Sequence, residues 1–429
     1  MISTFVDFLK NKEIRKKILF TLVILFIYRL GAAIPAPGID YSLVSRSVDL
    51  SEHPLLSMMS LLGGGSLEQM SIFSLGVGPY ITGSIIVQLL SMDIIPALAE
   101  MAKSGKKGRQ QMDRITRYVG VVLALVQGYF ITLMLNDTYK MVEAPGFMSY
   151  LYIAVIFTAG TMFLLWLADE ITTKGIGNGV SVIIFAGIVA DMPNNFELVY
   201  NTFCGATSTS KLGVAGFVIY CLMFVAIIAL VVLMQMAERR IPIQQSTSHR
   251  LNKTKGDLNH LPLKINSASV IPVIFASALV QGPIIISSWV NRDAYNFLSK
   301  LADFTNPLFL AFYALLIILF TFFYTNLTVD PSKMADDLGK QGQYIPGVRP
   351  GSETKNYVSK VLNRITCLGA ILLVFIALLP YIVSILTDLP QRAALGGTGI
   401  IIVVGVAMDT IKELKGQLTN KQYKGFVGK

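Results

Sequence analysis

The chain alternates between long apolar runs and short polar segments, and this pattern predicts a protein made of membrane-spanning helices. A bilayer core is about 30 Å thick, so a helix needs about 20 apolar residues to cross it. Ten runs of roughly this kind follow one another along the sequence. They lie at 18–34, 70–92, 118–135, 149–168, 175–190, 212–237, 265–291, 304–329, 365–387 and 393–408.

The basic residues between the runs predict how the chain is oriented, because cytoplasmic loops collect Lys and Arg. If the N-terminus is inside, the inside segments hold 29 of the 36 Lys and Arg and the outside loops hold 6. The remaining one, Arg29, lies within the first run and is expected to reach toward the outer interface. Both termini are therefore predicted to be cytoplasmic, which requires an even number of spans.

Composition excludes several classes of protein. Hydrophobic residues make up 53% of the chain and charged residues 14%, with a mean hydropathy of +0.60, so a water-soluble enzyme is not expected. The net charge of +10 is accounted for by the inside loops, without a nucleic-acid partner. Three cysteines and three histidines stand far apart and form no ligand spacing, so neither a metal nor a cofactor is predicted.

The ten runs divide into two sets of five, which predicts an inverted repeat. Five is odd, so the second set enters the membrane from the opposite side. Runs two and seven are each interrupted by a proline, Pro79 and Pro272, and runs five and ten are both short and open with glycines. Chance resemblance between broken runs is the alternative. The predicted organisation is a first half at 1–194, an outside hinge at 195–212, a second half at 213–410 with cytoplasmic loops 238–264 and 330–364, and a tail at 411–429.

Inverted repeats are typical of secondary transporters of small solutes, which is the alternative function. Coupled carriers place ionisable groups at membrane depth, whereas nine of the ten runs here contain no Asp, Glu, Lys, Arg or His. An intramembrane enzyme would need Ser/His, paired Asp or HExxH at that depth, and no run holds His or Asp. The protein is therefore predicted not to be an enzyme.

An apolar segment at 54–69 lies outside, between runs one and two. It is too short to span and too apolar for an ordinary loop, and three consecutive glycines at 63–65 separate it from run two. The segment is either a moving part or a fixed re-entrant or interfacial helix, and the sequence does not decide between these.

Motifs spread over the whole chain resemble the SecY family, the large subunit of the Sec protein translocon, in its bacterial form. The longest is SIFSLGVGPYITGSIIVQLL at 71–90. The others are GIGNG at 175–179, AERR at 237–240, HLPLKIN at 260–266, IPGVRPG at 345–351 and GGT at 396–398. Residues 244–256 do not obviously match the family.

The resemblance implies an all-α polytopic membrane protein: ten transmembrane helices in two inverted five-helix halves around a central, hourglass-shaped pore. Its function would be to translocate unfolded, signal-bearing polypeptides and to release transmembrane segments sideways into lipid. The segment at about 55–67 would be a plug, whose named residues are Leu55, Leu56, Met58, Met59, Leu61, Leu62, Gly63, Gly64 and Gly65. The constriction ring would be Val77, Ile81, Ile184, Ile188, Ile274 and Ile402. An aliphatic ring excludes ions by dewetting; lipid-facing filler is the alternative for each residue taken singly.

The resemblance also implies a lateral gate between spans two and three and spans seven and eight, with Gln88, Gln127 and Asn266 as its polar residues. Ordinary interhelical packing is the alternative. Arg239, Arg240 and Arg349 would dock the motor ATPase SecA or the ribosome, and prolines and glycines frame Arg349 in a turn. The implied partners are the SecE and SecG subunits, SecA, the ribosome, signal peptides, nascent or precursor polypeptides and membrane lipids. Contact with nucleic acid would be limited to ribosomal RNA, and the location would be the inner (plasma) membrane.

Overall fold

The structure is a computed structural model in which helices dominate. It describes residues 11–40, 60, 63–92, 94–204, 213–245, 260–290, 306–387 and 391–427. Six helices of the first half are α1 (Lys12–Ala32), α2 (Gly78–Leu90), α3 (Pro96–Lys103), α4 (Gly105–Tyr139), α5 (Phe147–Lys174) and α6 (Gly179–Cys204). Six of the second half are α7 (Gly213–Met236), α8 (Ile271–Val290), α9 (Pro307–Thr328), α10 (Pro331–Lys340), α11 (Ser352–Thr387) and α12 (Gln391–Val427).

Every predicted apolar run coincides with one helix, which confirms the all-α membrane fold. The corresponding helices are α1, α2, α4, α5, α6, α7, α8, α9, α11 and α12. Over the described ranges, α4, α5, α6, α7, α9 and α11 are long and apolar enough to cross a membrane, and α2 is a shorter apolar helix of 13 residues. α2 and α8 hold equivalent places in the two halves, and α8, with 20 residues, is the longer of the two.

The prolines of runs two and seven begin helices and do not interrupt them. Run two was expected to start at residue 70, but α2 starts at Gly78 with Pro79 in its first turn. Pro272 is likewise the second residue of α8. Proline is favoured there because the first-turn N–H groups of a helix have no intrahelical partner. Residues 70–77 of run two and residues 265–270 of run seven are therefore not helical.

The non-helical stretch before α2 is buried within the protein, which is what membrane depth requires of irregular backbone. Met70, Phe73 and Val77 are each at most 2% exposed. The backbone N–H of Ile72 donates to the carbonyl oxygen of Ile34 at 3.0 Å. A methyl group built on Gly160 of α5 would lie 1.9 Å from the carbonyl oxygen of Ile72, so α5 needs glycine there for the backbones to meet.

The helices that contain runs five and ten are longer than those uncharged runs. α6 continues through Pro193 to Cys204, so residues 195–204 of the predicted hinge are helical, while 205–212 lie outside the described residues. α12 continues to Val427 and so makes most of the predicted tail helical. Lys17 of α1 donates to Gln417 Oε1 of this extension at 3.1 Å.

Strands from the two loops that are predicted to be cytoplasmic form two small two-stranded sheets. Strands β1 (Glu238–Pro242) and β3 (His260–Lys264) pair antiparallel within the first loop. Strands β2 (Gln244–Gln245) and β4 (Gln343–Tyr344) pair across the two loops. Their shared apolar core consists of Ile241, Leu263, Ile345, Val358 and Ile365.

Candidate functional site

The six predicted ring residues all belong to the same apolar core cluster, to which both halves contribute many other residues. Val77, Ile184, Ile188 and Ile402 are buried, with exposed fractions of 1%, 4%, 1% and 5%. Ile81 and Ile274 are half-buried and pack against the same cluster. Four of the six side chains therefore do not face lipid.

Helices α2 and α8 place three of these residues at their first turns. Val77 caps α2, Ile81 follows one turn later, and Ile274 lies in the first turn of α8. Ile184 and Ile188 are one turn apart on α6, so they share one face of that helix. Ile402 comes from α12. The six residues thus come from four helices, two in each half.

The plug segment is only partly within the described residues. Leu55, Leu56, Met58, Met59, Leu61 and Leu62 lie outside them. Gly63, Gly64 and Gly65 are described and pass between α1 and α6. Leu67, the predicted end of the plug, is fully buried in one cluster with Met70 and Leu75.

Sequence reasoning missed the residues that hold these glycines. Tyr28 donates to the carbonyl oxygen of Gly63 at 3.2 Å, and Arg29 Nη1 donates to that of Gly64 at 3.1 Å. Arg29 was expected to reach toward the outer interface. In the structure, its guanidinium contacts the glycine tether, which is the segment at residues 63–65. Its place as the sole charge within an apolar run was the signal that could have identified it.

The predicted gate seam is a contact between the halves, since α8 packs against both α2 and α4. The polar residues do not meet through the hydrogen bonds of the described chain. Gln88 Nε2 donates to Ser84 Oγ of its own helix at 3.1 Å. Asn266 lies in the turn before α8, where its Nδ2 donates to the Ser269 carbonyl oxygen at 2.7 Å. Gln127 is half-buried on α4.

Two of the predicted gate residues have a buried acceptor atom without a hydrogen bond. Gln88 Oε1 and Asn266 Oδ1 are buried without a partner among the described residues. An unsatisfied buried acceptor costs about 1–3 kcal/mol. The neighbours of Asn266 are Ser269 and Met234 of the same half.

The three predicted docking arginines are exposed, either on strand β1 or in the turn that follows strand β4. Arg239 and Arg240 lie on β1, and Arg240 Nε is 2.8 Å from Glu238 Oε1. Arg349 lies in the turn before α11, where its carbonyl oxygen accepts from Thr354 Oγ1 at 2.9 Å. Because β2 pairs with β4, the two loops present these cations on one folded unit.

Lys412 of α12 contacts the chain directly before this β structure. Its Nζ donates to the Gln235 carbonyl oxygen at 3.0 Å, at the end of α7 just before β1. Burial lowers the pKa of the Lys412 ammonium, and the neighbouring charge of Lys264 acts in the same direction. Over the described ranges, no group of three or more His, Cys, Asp or Glu side chains is placed to hold a metal ion.

Comparisons with known proteins agree on one family. The family model for SecY matches residues 71–411. The protein translocase subunit SecY of Halalkalibacterium halodurans is 42% identical over 434 residues and that of Staphylococcus carnosus 42% over 437, each covering 100% of both chains.

Solved channel structures share the fold. One described as "The structure of a protein conducting channel" matches with a TM-score of 0.64 and 17% identity, covering 94% of this chain and 93% of that one. Sec61 in the canine ribosome-channel complex from the endoplasmic reticulum matches with a TM-score of 0.63 and 16% identity, with the same coverage. By its family-model match and its full-length relatives, the chain belongs to the SecY family of protein translocase subunits.

Proposed function

We propose that this chain forms the channel through which unfolded, signal-bearing polypeptides cross the plasma membrane. The same channel releases transmembrane segments sideways into lipid. The family to which the chain belongs supports translocation.

The observation that carries the proposal is the aliphatic cluster between the halves. Val77, Ile184 and Ile402 come from different helices of both halves and are buried together. A narrow waist lined by aliphatic side chains loses water and so blocks ions. It offers no fixed hydrogen bonds, so a passing polypeptide of any sequence slides through without sticking.

The seam of α8 against α2 and α4 is the proposed lateral exit. It joins the two halves, and the predicted outer hinge at 195–212, which holds a Ser/Thr cluster, connects them along the chain. Contacts between polar side chains in membranes are worth about 0.6 kcal/mol on average. Gln88, Gln127 and Asn266 therefore suit a seam that opens for a signal helix.

The energy for translocation is proposed to come from a partner. The sequence contains no GxxxxGK[ST] phosphate-binding loop. Exposed Arg239, Arg240 and Arg349 form the surface on which SecA or the ribosome would dock, and SecE and SecG would complete the complex in the lipid. A secondary transporter of small solutes is the weaker alternative, because the apolar runs lack midplane charges.

Reconstitution tests the function directly. The purified chain with SecE and SecG is placed in proteoliposomes with SecA, ATP and a precursor that carries a signal sequence. We expect the precursor to become protease-protected, and the same precursor without its signal or without ATP to remain digestible. Equal digestion in all three samples would contradict the proposal.

A further inference from the structure

Lys412 of α12 binds the end of α7 at the point where strand β1 begins. Its Nζ donates to the carbonyl oxygen of Gln235 at 3.0 Å, across 177 positions of the sequence. Gln235 lies in the last turn of α7, and β1 starts three residues later, at Glu238. The last carbonyl groups of a helix have no donor within that helix, and the helix dipole favours a cation beside them. Lys412 therefore completes the end of α7 from another helix.

The two strands β1 and β3, which together form the docking ribbon, are joined at this same end of α7. Glu238 pairs with Lys264 at the base of the ribbon. The backbone N–H of Ile265 donates to the carbonyl oxygen of Ala237 at 3.0 Å, which extends the pairing to α7 itself. The base of the docking ribbon is thus attached to α7, and Lys412 connects this base to α12.

The Lys412 ammonium interacts with three other charged side chains, two of which belong to the base of the ribbon. Burial lowers the pKa of this ammonium, the charge of Lys264 acts in the same direction, and Asp409 and Glu238 act in the opposite direction. Glu238 Oε1 also lies 2.8 Å from Nε of the predicted docking residue Arg240. The surroundings of Lys412 therefore include a residue that itself contacts the docking surface.

A second residue of α12 holds the turn that leads into α8. Asp409 lies three residues before Lys412, so the two side chains share one face of the helix. Asp409 Oδ2 accepts from Ser269 Oγ at 3.3 Å. Ser269 has a φ angle of +54°, which residues other than glycine rarely adopt, and its carbonyl oxygen accepts from Asn266 Nδ2 at 2.7 Å. The same face of α12 thus contacts both the base of the ribbon and the start of α8.

The helix that makes these contacts also carries a residue of the pore ring. Ile402 precedes Lys412 by ten residues of the continuous helix α12, which corresponds to about 15 Å along its axis. A methyl group built on Gly405, between the two, would lie 2.9 Å from Gln235 Nε2, so α12 and α7 are closely packed there. A rigid helix therefore fixes the distance between the ring and the point where Lys412 meets the ribbon.

We propose that Lys412 is a positioning residue that holds the docking ribbon, with Arg239 and Arg240, in a fixed place relative to the pore ring. The inference rests on the proposed channel function. A motor that docks on the ribbon must deliver the polypeptide to the waist, so the docking surface has to stay aligned with the ring. Without the bond to Gln235, the ribbon would still bind the motor, but it would move independently of α12.

Spin labels measure the position of the ribbon without any partner. They are attached to Pro262→Cys in β3 and Gly416→Cys in α12, both at exposed positions, after the three native cysteines have been replaced by serine. We expect Lys412→Met to broaden the distribution of distances between the labels. Lys412→Arg should retain the parental distribution because arginine keeps a charged donor, and so should the control Lys415→Met, an exposed change on the same helix. A parental distribution in Lys412→Met would overturn the positioning role.

Translocation kinetics connect this position to function. In proteoliposomes with SecE, SecG, SecA and ATP, we expect Lys412→Met to lower the maximum rate per folded channel about fivefold, the shift that one cation at a helix end represents. The SecA concentration that gives half of the maximum rate should stay at the parental value, because the docking arginines are intact. Lys412→Arg should restore the rate. Arg349→Glu should show the opposite behaviour and raise the half-maximal SecA concentration.

The outcomes separate this inference from the proposed function. A raised half-maximal SecA concentration with a parental maximum rate in Lys412→Met would make Lys412 part of the docking surface and overturn the positioning role. Parental kinetics in Lys412→Met would also overturn it and leave the channel function intact. A parent chain that does not translocate would contradict the channel function itself. If Lys412→Met does not accumulate in the membrane, Lys412→Gln, which also removes the charge, is measured in its place with the same expectations.

Discussion

At the residue scale, the surroundings of an isoleucine determine its role more than its chemistry does. Ile402 is 5% exposed in the cluster between the halves, whereas Ile371 on α11 is 58% exposed toward the space that lipid would fill. The two side chains are identical. Replacing each by the same polar residue therefore distinguishes a sealing position from a lipid-facing one.

Ile402→Asn and Ile274→Asn are expected to weaken the seal. A polar side chain lowers the dewetting barrier, and an unsatisfied buried amide costs about 1–2 kcal/mol, which shifts the closed–open ratio by about 5- to 30-fold. The mutants should leak small ions when idle. They should also export precursors with defective signals, because less differential binding energy is then needed for opening. Single-channel conductance and an export assay measure the two effects.

Ile371→Asn is the matched control for the ring. It should lower the yield of folded protein without relaxing signal selection. If the two ring substitutions also give only a lower yield, the ring has been assigned to the wrong helix faces.

Arg349→Glu is expected to slow SecA-driven translocation at least about tenfold when SecA is limiting, because a like charge then faces the partner surface. The protein should still insert and fold, since an exposed loop charge contributes little to stability. Initial rates at several SecA concentrations measure this. Lys355→Glu, an exposed change close by on α11, is the control. Equal translocation rates for the two mutants would show that the turn at 345–351 has a structural role and no role in docking.

At the element scale, the short helix α2 is preceded by irregular backbone, and this backbone depends on a close contact with the long helix α5. The segment before α2 fits against α5 only because Gly160 leaves room for the carbonyl of Ile72. It then continues into Val77 of the ring. Packing of this segment therefore positions part of the proposed seal.

Gly160→Ala is expected to destabilise the protein by about 1–3 kcal/mol, because the new methyl group forces the two backbones apart. Thermal unfolding in detergent measures the loss. Gly146→Ala is the matched control, since nothing lies within 4 Å of the added methyl group. A parental unfolding temperature for Gly160→Ala would show that the segment moves aside freely.

Deleting residues 55–62 is expected to leave translocation of normal precursors working while weakening the resting seal. The reason is that the anchored part of the segment, including Leu67, stays in place. Idle ion conductance should rise and signal selection should relax. Parental conductance together with parental selection would favour the fixed re-entrant or interfacial helix.

At the scale of the whole molecule, the halves contact each other on two sides. α8 meets α2 and α4 at the proposed gate, and α12 packs along α6. The extension of α12 beyond run ten also reaches α1 through the bond between Lys17 and Gln417. One contact thus includes the short helix α2, and the other is made by two long helices, which favours opening at the proposed gate.

The topology predicts which segments face the cytoplasm. Alkaline phosphatase, active only outside, should be inactive when fused after Lys340 and active when fused after Lys140, because basic segments stay inside. Colony colour and enzyme activity in membranes measure this. Phosphatase activity in the fusion after Lys340, with none in the fusion after Lys140, would show that the orientation is the reverse of the predicted one.

The sequence by itself determined the number of spans, their helical nature and the family. These depend on local properties: about 20 apolar residues cross a bilayer whatever their neighbours are. Motifs such as residues 71–90 are long enough to identify a family without contacts. For the same local reason, the basic loops predict orientation.

Only the tertiary structure decided where α2 and α8 begin, which isoleucines are buried, and that β2 and β4 unite the two loops. It also revealed the hydrogen bonds from Tyr28 and Arg29 to Gly63 and Gly64. These features depend on residues far apart in sequence: Arg29 lies 35 residues from Gly64, and Gln244 lies 100 from Tyr344. Hydropathy cannot distinguish a buried apolar side chain from a lipid-facing one, because both are equally apolar. Only the surrounding helices make that distinction.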